Sequence, residues 1–543
     1  MASLVTLLDR LEAAKRQFGA PAHAAETGKL LAELGARRFP DAASLIRFHE
    51  ALLFFRAYPA NAAIVHLADQ LLNFFPERLR RSSVDLEAFE EPDVSGISGT
   101  AFSAIFSFDI TRWLAARHPA DIDIDWDATD PSLLGPLLRL IHPFYAEDAL
   151  VEANIPHLEW FRAARKGRGS DLSWLLSSLQ ESWWGGRPRP RGTSRSGSSI
   201  PRERGADVDV VRGTGGPPHF VLSDLFAGAK IAVRWNLGRG PLTRSNLRLP
   251  KVRKFFFHDA PLLRRSDVSL ADELNSPPIA ITKLSLPDGE QFLDLARETS
   301  AMRYRELHGF TYGDPTRVIH AEFGRGVEVF VSGVPPQHRL PLRAYHAGMF
   351  FKNAVPIGYI ECLTLFERME VGFNLYYTFR EGETAWLYAK LLRLFRQLLS
   401  VNCFAVDPYQ IGLHNDEAID SGAFWFYRKL GFRPVSAEVA KLLASEEKKL
   451  RARADYRTPT NILRRLAKSG MIYEGPGSRP GAWDHLDAHR MAMSLDRSPF
   501  PPAVQRAKQA PDESHYVRML EETATMKPWR VTNPRRRPRP LPG

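Results

Sequence analysis

Apolar residues recur at three- and four-residue intervals through the first third of the chain. The spacing is clearest in 42–57, 62–75 and 131–142, and it predicts helices with one buried face. Residues 1–20 also place apolar positions between charged ones, which predicts an amphipathic helix rather than a secretory signal. We therefore expect residues 1–184 to form an all-α helical domain.

The pattern changes at about residue 290. A helical spacing at 290–308 is followed by short segments rich in apolar residues and separated by turn signals, which predict strands. The predicted strands are 318–323, 327–331, 345–351, 356–366 and 370–379. A helix at 384–399, a strand at 403–409 and an aromatic helix complete the series. The predicted fold class is α+β or α/β, with one mixed sheet flanked by helices.

An aromatic block, SGAFWFYRKLGFRP at 421–434, is the most informative stretch of the chain. Phe424, Tyr427 and Leu430 recur at helical spacing, and Gly431 ends the helix where a left-handed residue costs little. The block resembles the last conserved block of the GNAT N-acetyltransferases, and the order of predicted elements is similar to that of a GNAT core. The resemblance covers about a quarter of the chain, and it implies a GNAT-like acyltransferase domain at 290–437.

The resemblance implies a binding loop for acetyl-CoA or another acyl-CoA, with the pattern Arg/Gln-x-x-Gly-x-Gly/Ala before a helix. This chain has FREGETAW at 379–386, so the implied donor-binding residues are Arg380, Gly382, Glu383, Thr384 and Ala385. If the pattern is aligned to begin at Arg380, Arg380 and Ala385 match, but Glu383 stands in place of the first glycine. If it is aligned to begin at Phe379, Gly382 matches, but the basic residue at the first position is lost. A helix start attracts anions through its free amides and dipole. The alternative is an ordinary strand-to-helix connection in which Gly382 allows the backbone to turn tightly.

The resemblance also implies catalytic residues. Tyr427 matches the tyrosine that protonates the leaving thiolate, and a phenol is a suitable donor for a thiol of pKa about 8.5. Glu370 begins the strand that commonly carries the base for the amine, with Glu361 and Glu367 as competitors. Asn415 is the candidate for an asparagine near the donor. The alternative for Tyr427 is a core aromatic residue, and for each glutamate a solvated strand end.

The charge of +11 is concentrated in two tracts. Residues 187–216 carry seven arginines and three acidic residues, and 527–543 carry six basic residues and no acidic one. Their richness in Pro, Gly and Ser predicts a disordered basic linker at 185–218 and a disordered basic tail at 527–543. Such tracts attract polyanions with a steep salt dependence, so a role in nucleic-acid association stays open but is not favoured.

The remaining segments carry less information. Residues 219–289 are a lead-in of uncertain structure, and 438–526 predict a helical extension. Only two cysteines, Cys362 and Cys403, are present, both within apolar segments, so we expect no disulfide framework and a cytoplasmic location. No metal is expected: alternating aspartates within 121–127 could hold a hard cation, but a solvated surface is the favoured interpretation.

The sequence therefore predicts an N-acyltransferase that transfers an acyl group, most simply acetyl, from acyl-CoA to an amine. Its partners would be the acyl-CoA and the amine acceptor, with a protein partner possible at the helical domain and no membrane. Two alternatives stay open: a catalytically degenerate GNAT-like binding or scaffold protein, and a nucleic-acid-associated protein acting through its basic tracts.

Overall fold

The structure, a computed structural model, describes residues 2–141, 154–184, 219–250, 255–340 and 343–484 of the 543 in the chain. The predicted basic linker and basic tail lie outside the described residues, as does the part of the helical extension from 485 to 526. The chain divides into two compact units, one comprising 1–88 and 239–543 and the other Phe89–Gly238.

The unit Phe89–Gly238 combines helices with a small sheet. Its helices are α6 (Phe108–Arg117), α7 (Gly135–Ile141), α8 (His157–Arg165), α9 (Asp171–Trp184) and α10 (His219–Gly228). Strands β1 (Ala101–Ile105) and β2 (Ile122–Ile124) both pair antiparallel with β3 (Ala232–Asn236), in the order β1-β3-β2. The prediction of an all-α domain over 1–184 is therefore wrong, because two of its segments are strands whose partner lies beyond residue 230.

The aspartates at 121–127 act within this small sheet. Asp123 accepts a hydrogen bond from the Leu172 amide at 2.8 Å, and Asp125 accepts bonds from the Asp127 amide and the Ser103 hydroxyl. These contacts join the strands to α9 and to the following turn. Across the described residues, no group of three or more His, Cys, Asp or Glu side chains could hold a metal ion.

The larger unit begins with five helices: α1 (Leu4–Ala14), α2 (His23–Gly35), α3 (Ala42–Ala57), α4 (Ala62–Asn73) and α5 (Phe75–Arg80). Three of them, α1, α3 and α4, lie in segments with the predicted helical periodicity. They belong to the same unit as the large sheet and not to a separate domain. The Asn353 side chain donates to the Ala57 carbonyl at 2.8 Å, and the His258 amide donates to the Pro59 carbonyl at 2.8 Å.

The later helices of this unit are α11 (Leu270–Leu274), α12 (Leu286–Ala301), α13 (His308–Thr311), α14 (Thr384–Leu399), α15 (Asp416–Asp420), α16 (Ala423–Lys429), α17 (Ala437–Ala452) and α18 (Thr460–Leu466). The segment 219–289 thus contributes α11 and β4 to this unit and α10 and β3 to the other. No described helix combines the length and apolar character needed to cross a membrane.

The large sheet has nine strands within the described residues, in the order β11-β12-β10-β9-β8-β7-β6-β5-β4. They are β4 (Ala280–Lys283), β5 (Val318–Gly324), β6 (Val327–Ser332), β7 (Ala344–Lys352), β8 (Val355–Leu365), β9 (Arg368–Leu375), β10 (Cys403–Val406), β11 (Arg433–Pro434) and β12 (Met471–Glu474). All neighbours are antiparallel except β9 and β10, which are parallel. The segment 438–526 is not wholly helical, because β12 inserts between β10 and β11.

Helices cover both faces of the sheet. On one face, Phe292 of α12 and Phe310 of α13 lie in a buried cluster with Val318, Tyr345 and Met349; burying each phenylalanine contributes roughly 1.5–3 kcal/mol. On the other face lies α14, whose apolar stripe is buried. The observed bounds of α14 equal the predicted 384–399, because its Leu residues repeat at helical spacing and Ser400 ends it at φ 57°. Cys362 and Cys403 are buried and free.

Candidate functional site

The parallel strands β9 and β10 separate partway along their length. They pair over three positions only, from Cys403 opposite Arg368 to Ala405 opposite Glu370. Strand β10 ends at Val406, whereas β9 continues to Leu375. Residues 371–375 of β9 therefore have no partner in β10, and a gap opens in the sheet beside them.

A cavity of about 350 Å³ lies at this gap. Its lining residues come from β9, the loop before α14, the turn after β10, and helices α15 and α16: Phe373, Asn374, Leu375, Arg380, Thr384, Tyr409, Gln410, Asn415, Glu417, Ala418, Ser421, Ala423, Phe426 and Tyr427. Phe373 and Asn374 are consecutive, so their side chains point to opposite faces of β9. Both line the cavity, which therefore borders the edge of β9 that has no partner in β10.

Tyr427 forms one wall of the cavity. Helix α16 is bounded by Gly422 at φ 71° and Gly431 at φ 103°, conformations that favour glycine. The Tyr427 ring is 4% exposed and packs against Tyr388, with ring centroids 5.4 Å apart. Burial raises the pKa of the Tyr427 phenol, so the hydroxyl keeps its proton at neutral pH.

The loop before α14 brings a cation and a helix start to the cavity. Arg380 and Thr384 line it, and the Thr384 hydroxyl donates to the Arg380 carbonyl at 3.0 Å. Arg380 forms an ion pair with Glu417, which also lines the cavity. Helix α14 begins without a side-chain cap. The free amides of a first turn and the positive end of the helix dipole favour an anion at this position.

The two acidic residues of this loop point elsewhere. Glu383 is 1% exposed and is paired with Arg325, 2.5 Å away, and with Lys352 at 3.7 Å. It also accepts a hydrogen bond from the Leu263 amide at 3.2 Å. Glu381 is paired with Arg16 on the surface. Both carboxylates are therefore compensated by cations outside the cavity.

The structure brings some of the predicted donor-binding residues together and not others. Arg380, Thr384 and Asn415 line the cavity, whereas Gly382, Glu383 and Ala385 are not among its lining residues. A Cβ atom at Gly382 would overlap the Tyr58 ring. Glycine at this position is therefore needed for packing.

Asn415 contributes by shaping the wall. Its side chain accepts a hydrogen bond from the Ala418 amide and donates one to the Tyr409 carbonyl, each at 3.1 Å. The first bond caps α15 and the second fixes the turn after β10. Because both ends of the amide are engaged, Asn415 holds the wall in place.

Glu370, the predicted base, does not line the cavity. It lies where β9 still pairs with β10, opposite Ala405, and its carboxylate is 3.6 Å from Arg368. Of its two competitors, Glu367 accepts from the Trp483 indole at 3.2 Å, and Glu361 lies directly opposite Gly372. Glu361 is therefore the closest of the three in register to the separated part of β9.

Gln410 is the residue that sequence reasoning missed. It lies in the turn after β10, which begins at Asp407, whose side chain accepts from the Tyr409 amide at 2.8 Å. The Gln410 Oε1 atom is buried and has no hydrogen-bond partner among the described residues. The Asp-Pro pair at 407–408 signals a turn, but only the fold shows that this turn borders the cavity.

No protein-family model, curated protein or solved structure matches this chain. The case for a function therefore rests on the residues and the geometry of the cavity.

Proposed function

We propose that this protein is an acyl-CoA-dependent N-acyltransferase of the GNAT type, which transfers an acyl group, most simply acetyl, to an amine. The observation that carries the proposal is the cavity between the separated strands β9 and β10, bordered by the start of α14 and by Tyr427. The resemblance of residues 421–434 to the last GNAT block supports the same function, since Tyr427 lies within it.

The cavity fits the chemistry of an acyl-CoA. Arg380 and the first turn of α14 supply positive potential for the diphosphate. Phe373 and Phe426 supply apolar surface for the pantetheine and acyl chain. The two glutamates of the loop, Glu383 and Glu381, are neutralised by Arg325 and Arg16.

Tyr427 is the proposed general acid. The nitrogen of the neutral amine attacks the thioester carbonyl carbon, the C–S bond breaks, and the phenol of Tyr427 gives its proton to the departing sulfur. The proton that the nitrogen loses on becoming an amide passes through solvent to the phenolate and restores the phenol. Because burial raises the pKa of this phenol, it is protonated at the start of each turnover. A positioned acid of this kind contributes roughly 10²–10⁴-fold to rate.

Calorimetric titration with acetyl-CoA tests the proposal. We expect micromolar binding to the wild type and a loss of at least about 50-fold in Ala423→Trp, because the indole would fill the cavity. The matched control is Ala440→Trp, which places the same bulk in a separate cavity of about 390 Å³ beside α17 and should leave binding unchanged. A folded wild type that binds no acetyl-CoA would overturn the proposal and favour a non-catalytic binding module.

A further inference from the structure

Helix α3 contacts the segment 377–383, which leads from β9 into α14, carries Arg380 and is called the donor loop below. The last ten residues of α3, 48–57, are all buried, and a helix buried around its whole circumference lies inside its unit. Two contacts join α3 to the donor loop, one from Glu50 and one from Tyr58, the residue that follows the last turn. The N-terminal helices therefore border the loop that is proposed to bind the diphosphate.

Glu50 holds the first half of the donor loop. The Thr378 hydroxyl donates a hydrogen bond to Glu50 Oε2, and the Arg244 guanidinium donates to the same oxygen at 2.6 Å. The other carboxylate oxygen is 3.0 Å from His49 Nδ1. Burial disfavours the charged carboxylate, but Arg244 and His49 lower the pKa of Glu50 to about 2. Thr378 is therefore bonded to a charged acceptor, and such hydrogen bonds are stronger than neutral ones.

Tyr58 holds the second half of the donor loop. Its ring is fully buried and is stacked on the ring of Phe54, with centroids 5.0 Å apart. A Cβ atom at Gly382 would lie 2.4 Å from the Tyr58 hydroxyl oxygen and 2.6 Å from its Cζ atom, so the Gly382 backbone is in close contact with the phenol. Thr378 lies two residues before Arg380, and Gly382 lies two residues after it. The arginine is therefore placed between two contacts with the same helix.

Arg380 does not fix the donor loop by itself. Its side chain donates to the Leu375 carbonyl at 3.3 Å and pairs with Glu417, and both charged side chains are partly exposed. Exposed ion pairs constrain a backbone weakly, because their energy is small and is screened by salt. The contacts with α3, like those of Glu383, are buried. They therefore determine the conformation of the loop more than the arginine does.

We propose that α3 holds the donor loop in its binding conformation, with Glu50 and Tyr58 as positioning residues for the acyl-CoA donor. The inference rests on the proposed acyltransferase function and gives the N-terminal helices a part in its donor site. Neither residue lines the cavity, so each acts through the backbone of the loop. If the loop adopts other conformations, the apparent affinity for the donor falls in proportion to the fraction that remains competent.

Hydrogen exchange measures the conformation of the donor loop without a ligand. Thr378→Val removes the hydroxyl that bonds to Glu50 and leaves Arg244 as a partner of the carboxylate. We expect the amides of 377–383 to exchange about tenfold faster, since losing a hydrogen bond to a charged group changes an opening equilibrium by at least roughly that factor. Thr378→Ser keeps a hydroxyl and should exchange like the wild type. The matched control is Ser332→Ala, which removes another buried hydroxyl, on β6, and should not change the exchange of 377–383.

Calorimetry with acetyl-CoA measures the effect on the donor. Thr378→Val should raise the dissociation constant by about the same tenfold factor, whereas Thr378→Ser and Ser332→Ala should keep the wild-type value. The Tyr58 contact is tested by a pair of substitutions. Gly382→Ala places a methyl group against the phenol and should raise the dissociation constant about tenfold, and adding Tyr58→Leu should restore part of the affinity because it removes the phenol.

Three results would overturn the inference. They are unchanged exchange and affinity in a folded Thr378→Val, an equal loss of affinity in Ser332→Ala, and no recovery of affinity when Tyr58→Leu is added to Gly382→Ala. A wild type that binds no acetyl-CoA would instead overturn the proposed function, and the exchange measurement would then still decide whether α3 holds the loop.

Discussion

Two regions meet in one short loop, and they use charge in opposite ways. Arg380 and Thr384 line the cavity, where the arginine is paired with Glu417, a half-exposed lining residue. Glu383, three residues after Arg380, is buried between Arg325 and Lys352. A ligand in the cavity can replace Glu417 as the partner of the Arg380 guanidinium, whereas the Glu383 carboxylate is held inside the protein by its two cations.

The charge pattern of a loop in the sequence therefore does not decide what the loop binds. The sequence places two glutamates beside the predicted diphosphate site, yet Glu383 turns into the interior and Glu381 pairs with Arg16. A buried charge is retained only when it is paired, and removing one partner leaves the others uncompensated. We therefore expect Glu383 to contribute mainly to the stability of the fold and Arg380 to contribute mainly to the binding of the acyl-CoA donor.

Glu383→Gln should give the largest loss of stability. The substitution leaves Lys352 and Arg325 without their buried anion, and breaking such a pair costs about 3–5 kcal/mol. Urea unfolding should show this loss, whereas Arg380→Gln should change the free energy of unfolding by less than about 1 kcal/mol. Glu381→Gln, which removes a surface partner of Arg16, is the control. Equal effects of the three substitutions would remove the distinction between the two regions.

Tyr427→Phe should abolish most turnover without weakening the binding of acetyl-CoA. Removal of the phenolic proton should lower kcat about 10²–10⁴-fold, with the acetyl-CoA dissociation constant unchanged. The matched control is Tyr388→Phe: the Tyr388 hydroxyl is buried, lacks a hydrogen-bond partner among the described residues, and does not line the cavity. A similar loss of kcat in both variants would show that packing, rather than proton transfer, explains the effect.

Stability should rise with pH above neutrality because of Lys352. Burial lowers the pKa of this ammonium to about 7, with Arg325 adding to the decrease and Glu383 opposing it. Between pH 7 and the ordinary lysine value of about 10.5, the unfolded chain binds more protons at this position than the folded one. The free energy of unfolding should therefore increase with pH across this window. Lys352→Met should flatten the increase, and an unchanged slope in that variant would contradict the assignment.

Glu417→Gln should have the smallest effect of these substitutions. It tests whether Glu417 competes with the donor for Arg380. Without the carboxylate, Arg380 is free to bind the donor, so acetyl-CoA should bind about two- to fivefold more tightly, in line with the energy of an exposed ion pair. Calorimetry at low salt measures the change, and raising the salt concentration should reduce it. Weaker binding in Glu417→Gln would mean that the glutamate contacts the donor rather than competing with it.

The sequence predicted those parts of the fold that depend on local periodicity. The bounds of α14 and α3 match the predicted ones, and the strands from β5 to β8 lie within two residues of theirs. The all-α prediction for 1–184 was wrong and the prediction of a helical extension at 438–526 missed β12, because short strands such as β2 and β12 take partners far away in the chain. Local spacing carries no information about such partners.

The residues of the candidate site were also predictable only in part. The motif patterns identified Tyr427, Arg380, Thr384 and Asn415, which the structure brings to one cavity. The place of Gln410 in the cavity lining was not predictable, because it depends on the turn that brings Gln410 close to Gly372 of β9. The approach of that turn is not encoded in a local motif.

A crystal structure of the protein with S-propyl-CoA, a thioether analogue of the donor, would show where the donor binds. As the proposed function requires, we expect the thioether sulfur in the gap between β9 and β10, within about 3.5 Å of the Tyr427 hydroxyl, and the diphosphate at the start of α14 beside Arg380. Electron density for the ligand at another position, with the gap beside residues 371–375 of β9 empty, would contradict it.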